Sequence, residues 1–511
     1  MRDIILCLDS GTTTVKAAAF DRHGRLLAVA EAANTALRRD GIRVEQDMIV
    51  TRNGSMSVLR ECVGKISGDV AGLIVTGQGD GLWPLDKTGQ PVGHALTWLD
   101  GRARALVGEH GHSGDLDRVE AITSARPTAA TQSLQLAWLQ QHEPERLTRI
   151  AHALRLKEWL FFSLTGELKA EPTAVLPSWG DWRNGGLSHA VEEILGLKTG
   201  IALLPQLEKI GDCRSSLSKS AAEQLGLPPG IPVLLGPGDV QSTIIGMGVG
   251  LKPELSRCSI FGTSAIHASH VLDPLKMQTK PAGAMIQQFA LGEGYICSHP
   301  SFNGTTAFQH IARLTGEPTG LRTISPHYSG VLIHPFFEPG GERAPYTTPH
   351  AKGALIGVTS ATTSQQIQWA TREALVFVSR KSHEMMNSTG SDMALGGGLA
   401  ADDAFASFFA TTLGRNIHRS TSGHASLRGV GMIAAFHLLG EPLKSLPDRW
   451  IVEADSIAQP EKGSVAHYAE RKYALFSTLV DVVSPCWDDM SALASLAAED
   501  MTIPAGKENL Q

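Results

Sequence analysis

One pattern occurs twice in this chain, and it constrains the fold more than any other feature. Ile4 to Leu8 is a short apolar run that stops at Asp9, turns through Ser10-Gly11-Thr12-Thr13-Thr14, and resumes as Val15 to Phe20. In the second half, Ser259-Ile260-Phe261 runs into Gly262-Thr263-Ser264 and resumes as Ala265 to Ser269. Each reads as strand, hydroxyl-rich glycine turn, strand. Backbone N–H groups and threonine hydroxyls in such a turn can cradle phosphate oxygens. A single turn of this kind is equally well a plain hairpin. A pair, one in each half, predicts a duplicated α/β fold with a phosphate clamp built from both sides of a cleft.

Near the midpoint, Ile231 to Leu235 reads as a buried strand ending in Gly236-Pro237-Gly238, with Asp239 at its end, where α/β folds commonly place chemistry. Gly246, Gly248 and Gly250 follow and suggest a loosened junction between domains. Asp9, also at a strand end, is a candidate for Mg²⁺, an ion that takes a few carboxylates together with substrate phosphates. Leu73-Ile74-Val75 is another buried strand. It leads into Thr76-Gly77-Gln78-Gly79-Asp80-Gly81, where an amide and a carboxylate between glycines leave room for a small polar ligand; an Asp-Gly turn accounts for the same residues. Trp98, Asp100 and Arg102 offer either a tryptophan face for sugar carbons or a packed tryptophan beside a structural Asp–Arg pair. Glu342 and Arg343 are read as pairing with each other. Gly396-Gly397-Gly398 closes a strand before a helix from Asp402 to Leu413, and its bare backbone admits a flat base or ribose. Helices are expected over Pro127 to Leu139, Leu154 to Gly166 and Val465 to Val483, a surface loop over Ser178 to Gly186, and fraying over Ala497 to Gln511.

The chain has 511 residues, which favours two domains over one. A net charge of -6 argues against nucleic acid or an anionic membrane as the main partner. Six scattered cysteines without a CxxC pair fit reduced thiols. No apolar run approaches the roughly 20 residues of a membrane span, and the N-terminus lacks a signal-peptide pattern. The expectation is a soluble cytoplasmic protein. Among 19 histidines none makes an HExxH or paired spacing, so a His-ligated metal is not expected.

Taken in order, DSGTTTVKAAAFD, TGQGDGLW, WLDGR, LLGPGDVQST, FGTS, GERAP and LGGGLA resemble the FGGY family of carbohydrate kinases, from residue 4 to about residue 435. Gly353-Ala354-Leu355-Ile356-Gly357-Val358, followed by Gln366-Ile367 and Ala370 to Glu373, looks like the family's second-half signature, with Arg372 where an apolar residue is usual. The resemblance implies two ribonuclease-H-like domains of the actin and hexokinase type, with ATP and sugar between them. The division is placed at 1–248, holding the sugar and the catalytic aspartate, and 249–511, holding the nucleotide.

By position it implies Asp239 as catalytic base and Gln78, Asp80 and Trp98 as sugar contacts. Thr12, Thr13, Thr14 and Lys16 would form the first phosphate loop, and Gly262 and Thr263 the second. Gly304, Gly397, Gly398 and Ala401 would line the nucleotide pocket, and Asp9 with Asp239 would face Mg²⁺. Homodimers are common among such kinases.

Gln78-Gly79-Asp80 differs from the Gln-Met-His common in D-xylulose kinases and the Gln-Arg-Glu common in glycerol kinases. GQGDGLW followed by WLD looks most like the erythritol-kinase branch, and DVQST is similar to L-xylulose-type kinases. Lys157-Glu158 stands where Lys-Asp is usual, Ala401 where Asn is frequent, and Leu427-Arg428-Gly429 where Leu-Gly-Ala is usual. The implied reaction is phosphorylation of a small polyol or ketose, erythritol or a keto-pentose foremost, with D-xylulose as the alternative acceptor. A catalytically idle sugar or nucleotide sensor is the rival from another class, and the presence of Asp239 and both turns argues against it. A glycosidase with paired carboxylates leaves the duplicated turns unexplained.

Overall fold

The computed structural model describes residues 3–274, 280–318, 324–338, 341–348, 350–387, 390–421, 423–451 and 456–500. Two sheets carry it. The first contains β1 (Ile4–Ser10), β2 (Thr14–Asp21), β3 (Leu26–Ala33), β4 (Val70–Gly77), β5 (Arg214–Ser216) and β6 (Pro232–Gly238), in the order β5-β6-β4-β1-β2-β3. β1 and β2 form the predicted hairpin, with Leu8 opposite Ala17 and Asp9 opposite Lys16, while β1, β4 and β6 run parallel. Its helices include α1 (Met48–Val63), α2 (Leu156–Thr165), α3 (Pro172–Trp179) and α4 (Asp239–Gly246), the last starting directly from β6.

The second sheet contains β7 (Leu255–Phe261), β8 (Ala265–Val271), β9 (Met285–Gln288), β10 (Tyr295–Ser301), β11 (Asp392–Gly397), β12 (Ile417–Arg419) and β13 (Ile457–Ala458), in the order β9-β10-β8-β7-β11-β12-β13. Again the opening pair is an antiparallel hairpin, and again its first strand lies parallel to a later one, here β11. The repeat seen in the sequence is therefore a repeat of topology. α5 (Ser364–Met385), α6 (Asp403–Leu413), α7 (Ala425–Leu439) and α8 (Ser464–Val483) complete this half. Local chemistry sets several ends: Asp402 caps α6 by accepting from the Phe405 N–H, and left-handed Gly414 and Gly440 close α6 and α7.

α7 belongs to the second half of the chain, yet it packs on β1 and β4 of the first sheet and most heavily on α4. Between the sheets these helices form one apolar core. Ile5, Cys7, Ile74 and Leu234 enter it from one side, Cys258, Ala268 and Ala394 from the other, with Ile244, Ile245, Val430 and Ile433 between. The α4–α7 crossing is backbone against backbone. A Cβ on Gly246 would sit 1.8 Å from the Ala425 carbonyl oxygen, and one on Gly429 would sit 1.9 Å from that of Ser242. The loosened junction expected at Gly246, Gly248 and Gly250 is thus a tight crossing followed by two turn glycines of positive φ.

Other expectations need smaller corrections. The helix expected over Pro127 to Leu139 runs Gln132–His142, because Thr128 and Thr131 bond each other into a turn before it. The helix expected from Leu154 starts at Leu156, since His152–Leu154 pairs as a strand with Trp83–Leu85. The surface loop expected over Ser178 to Gly186 begins as the buried end of α3, where the Trp179 indole donates to Gln132 at 2.9 Å, and continues as the hairpin Gly180–Asp181 with Gly186–Leu187. The fraying expected at the end of the chain falls, from residue 501 on, outside the described residues.

Candidate active site

Strand order explains why distant residues meet. β6, β4 and β1 are parallel neighbours, so their C-terminal ends emerge along one edge of the sheet. Asp239 and Gln78-Gly79-Asp80 follow two of those ends, and Asp9 is the last residue but one of β1. The loops touch: a Cβ on Gly238 would lie 3.5 Å from the Gly79 Cα. A Cβ on Gly79 would in turn lie 4.0 Å from the Gly238 Cα, so the two loops meet backbone to backbone.

The electrostatics mark this edge. Asp239 accepts a 2.8 Å bond from the Val240 N–H, yet its carboxyl is pushed up to about 7, first by burial and then by the charge of Asp9. Asp9 is also raised by burial, opposed by the Ser426 hydroxyl, which donates to its Oδ2 at 2.5 Å, and by the charge of Lys16. Oδ1 of Asp9 is buried without a hydrogen-bond partner among the described residues. Two carboxyls raised by burial, one of them raised further by the charge of the other and that other carrying an orphaned oxygen, fit a hard divalent cation that takes its remaining ligands from phosphate and water.

Around them lies the first turn. Gly11 N–H donates to the Thr14 carbonyl at 3.0 Å, and Asn34 clips the turn through the Thr13 and Gly11 carbonyls. The Trp98 indole donates to Thr12 Oγ1 at 2.8 Å, tying a predicted sugar contact to the predicted phosphate loop. Trp98 is half-buried. Its neighbours resolve the other way: Asp100 and Arg102 form a buried structural pair, with Asp100 also holding the Val44 N–H. Lys16 reaches out of the hairpin to the Gly423 carbonyl at 3.2 Å.

The second sheet repeats the geometry with different chemistry. β7 and β11 are parallel, so Gly262-Thr263 and Gly397-Gly398 emerge side by side. Gly262, Thr263, Gly397, Gly398 and Ala401 are all exposed. Gly304 closes against the turn, where a Cβ would lie 2.5 Å from the Gly262 carbonyl oxygen. Gly397, at φ +81°, leaves no room for a Cβ beside the Phe261 backbone. The result is a patch of bare main chain.

The second half of the chain reaches the first set at the start of α7, through Ser426 on Asp9 and, just before the helix, the Gly423 carbonyl on Lys16. No sequence signal pointed to Ser426, which stands 417 positions from its partner. The expected Glu342–Arg343 pair does not form. The Glu342 carboxylate accepts instead from Ser301 Oγ, Asn303 Nδ2 and the N–H groups of Phe302 and Arg343, while the Arg343 guanidinium lies 4.2 Å over the Phe302 ring. Four donors on one carboxylate outweigh a single cation next door in sequence.

Two sheets of repeated topology thus carry carboxyls at the strand ends of one and bare glycine turns at the strand ends of the other. Comparisons with known proteins identify the family. The N-terminal domain of the FGGY family of carbohydrate kinases matches residues 4–246, and its C-terminal domain residues 305–438. The chain belongs to the FGGY family of carbohydrate kinases. An erythritol kinase of Brucella abortus is 27% identical, spanning 96% of this chain and 98% of its own length. A xylulose kinase of Streptomyces coelicolor is also 27% identical, over 94% of this chain and 96% of its own. Among solved structures, a ligand-bound xylulose kinase from Lactobacillus acidophilus superposes with a TM-score of 0.83 at 19% identity, covering 95% of this chain and 99% of the other. Plasmodium falciparum glycerol kinase with ADP superposes at 0.80 with 18% identity, covering 94% of this chain and 98% of its own. At such identities the superpositions speak for the fold alone. The protein is a carbohydrate kinase, with ATP as the phosphoryl donor. Among the described residues no helix is long and apolar enough to cross a membrane.

Proposed function

We propose that the acceptor is a tetritol, erythritol foremost, and that Asp239 is the base that takes its proton. The observation that carries the substrate is the erythritol kinase of Brucella abortus, which aligns across nearly its whole length. The loop Gln78-Gly79-Asp80 supports it, since Gly79 puts no side chain beside Asp80. A keto-pentose is the second reading, favoured by the equally identical xylulose kinase.

Phosphoryl transfer needs in-line positioning and charge neutralisation more than covalent chemistry. Gln78, Asp80 and Trp98 hold the polyol with one hydroxyl toward Asp239. A carboxyl raised to about 7 is a better proton acceptor near neutrality than an ordinary aspartate. Such help is worth about 10²–10⁴-fold, or roughly 3–5 kcal/mol. Thr12, Thr13 and Thr14, with Lys16 beside them, and Gly262-Thr263 grip the phosphates through N–H groups, hydroxyls and charge. Gly304, Gly397, Gly398 and Ala401 take the nucleoside against bare backbone. Asp9, through its free Oδ1, and Asp239 are the residues that would hold Mg²⁺; bound there, the ion neutralises charge on the transferred phosphate.

On this reading the chain divides near residue 248 into a sugar-holding and a nucleotide-holding half. A cytoplasmic setting accords with six unpaired cysteines, and a homodimer is the assembly carried over from the family resemblance. An ADP-release assay over tetritols, pentitols, ketopentoses and glycerol tests the substrate. Erythritol should give the highest kcat/KM, and a ketopentose used at least tenfold better would replace it.

A further inference from the structure

β9 is the edge strand of the second sheet, with β10 as its neighbour. Its pairing decides which backbone groups face outward. Phe289, just past the strand, donates its N–H across the hairpin to the Gly294 carbonyl. By the alternation of an antiparallel ladder, Ile286, Gln288 and Ala290 therefore turn their N–H and C=O groups away from β10. Open edges of this kind are covered in native folds. Here the first half of the chain covers the edge, with side chains in place of a strand.

Two residues do so. The Ser124 hydroxyl accepts from the Ile286 N–H at 2.6 Å and donates to the Ile286 carbonyl at 3.3 Å. Ser124 holds a left-handed φ of 63°, where glycine would be unstrained, so the fold retains the hydroxyl at a cost. Gln241 takes the next two outward positions with the two ends of one amide. Its Nε2 donates to the Gln288 carbonyl at 3.0 Å, and its Oε1 accepts from the Ala290 N–H at 2.6 Å. A carbonyl only accepts and an N–H only donates, so these partners fix the orientation of the amide. Both side chains are buried.

Gln241 lies in the first turn of α4, two residues after Asp239 and so about 200° further round the helix. One side of that turn is docked on the second half while the other carries Asp239. The start of α4 is also tied to the first sheet, where Thr76 of β4 donates its hydroxyl to the Pro237 carbonyl at 2.6 Å and meets the Ser242 hydroxyl at 3.0 Å. β9 joins the Gly262-Thr263 turn through β10, β8 and β7. A slip of β9 along α4 is thus a shift of that turn relative to Asp239.

We propose that Gln241 is a positioning residue that docks the helix carrying the base onto the edge strand of the second half, and so sets the distance between Asp239 and the phosphate turn beyond it. In-line transfer is sensitive to such a distance, since a misplacement of about 1 Å can cost about a hundredfold in rate. Ser124 fastens the same strand to another part of the first half, and its bonds end on Ile286.

The inference rests on Asp239 as the base, and the test separates the two. Wild type, Gln241→Met, Ser124→Ala and Asp239→Asn are compared by steady-state kinetics with the best-used acceptor of the ADP-release panel. Calorimetric titrations of ATP and of that acceptor, thermal melts, and hydrogen exchange of the peptide spanning residues 284–291 accompany the kinetics. Methionine keeps the length of Gln241 and removes both bonds. Gln241→Met should lower kcat about tenfold to a hundredfold, with KM and Kd for both substrates within about threefold of wild type. Exchange in the peptide should rise in Gln241→Met and in Ser124→Ala alike. Ser124→Ala should keep kcat within about twofold, because it leaves the Gln241 amide in place. If Asp239→Asn loses turnover while Gln241→Met keeps it, the inference is overturned and the base stands. If Asp239→Asn keeps turnover, the assignment of the base fails and the inference with it. A kcat equally low in Ser124→Ala would move the effect from Gln241 to the strand as a whole and overturn the inference. Raised KM for both substrates with a lowered melt in Gln241→Met would mark the residue as structural and overturn it too.

Discussion

The two halves of this enzyme share a strand order and differ in what they place at the end of it. In the first sheet the parallel strands end in Asp9, Asp80 and Asp239, three buried or half-buried carboxyls raised by burial. In the second, the equivalent ends are Gly262 and Gly397, with Gly304 closed against them. On the proposed function one scaffold serves two purposes: side chains that move protons and hold charge, and main chain stripped of side chains on which a nucleotide would lie. The interiors differ as well. Buried ion pairs occur in both, but the buried histidines, His267, His299, His334 and His383, all lie in the second half.

The contrast can be broken at either end. The largest effect belongs to the carboxylate edge. Asp9→Asn should cost about a hundredfold or more in kcat/KM for ATP, because it removes charge from the proposed seat of the divalent ion. It should also weaken Mn²⁺ binding, read by electron paramagnetic resonance, while acceptor affinity stays near wild type. Next comes the glycine edge. Gly304→Ala sets a Cβ 2.5 Å from the Gly262 carbonyl oxygen and should raise the KM for ATP about tenfold, with a destabilisation of about 1–3 kcal/mol. An acceptor KM that moved by the same factor would dissolve the division of labour.

Acid sharpens the comparison of interiors. Burial depresses His267 to about 3 and His299 and His334 to about 4, below the ordinary 6.5. The unfolded chain therefore binds protons that the folded one refuses, so stability falls as pH drops below about 6.5. The loss is about 1 kcal/mol per buried histidine by pH 5.5. Hydrogen exchange at that pH should rise first in β8, β10 and α5 rather than in the first sheet; uniform loosening would contradict the contrast. The smallest effect is expected at the link between halves. Ser426→Ala removes the hydroxyl on Asp9 Oδ2 and should lower kcat/KM for ATP by about fivefold to tenfold, with melting temperature almost unchanged.

The duplicated turn made the architecture legible, because an apolar strand interrupted by glycine and hydroxyls has few folds available to it. The ends of β1, β4 and β6 were legible too, since Asp9, Gln78 to Asp80 and Asp239 each follow an uninterrupted apolar run. What stayed hidden depends on contacts between distant parts of the chain. Gly246 reads as flexible until Ala425 is found against it. Ser426 is an ordinary helical serine in sequence. Glu342 and Arg343 are neighbours along the chain whose partners are chosen by folding: Ser301, Asn303 and the Phe302 N–H for one, the Phe302 ring for the other. Periodicity reports which face is buried, and it does not report what lies across from it.

Asp239→Asn tests the account most directly. Calorimetric binding of ATP and of the preferred acceptor, together with kcat at saturation of both, should show both affinities within about threefold of wild type and kcat lowered by 10²–10⁴-fold. A variant that binds both and turns over at a near-normal rate would remove Asp239 as the base, and with it the claim that the first half supplies the chemistry.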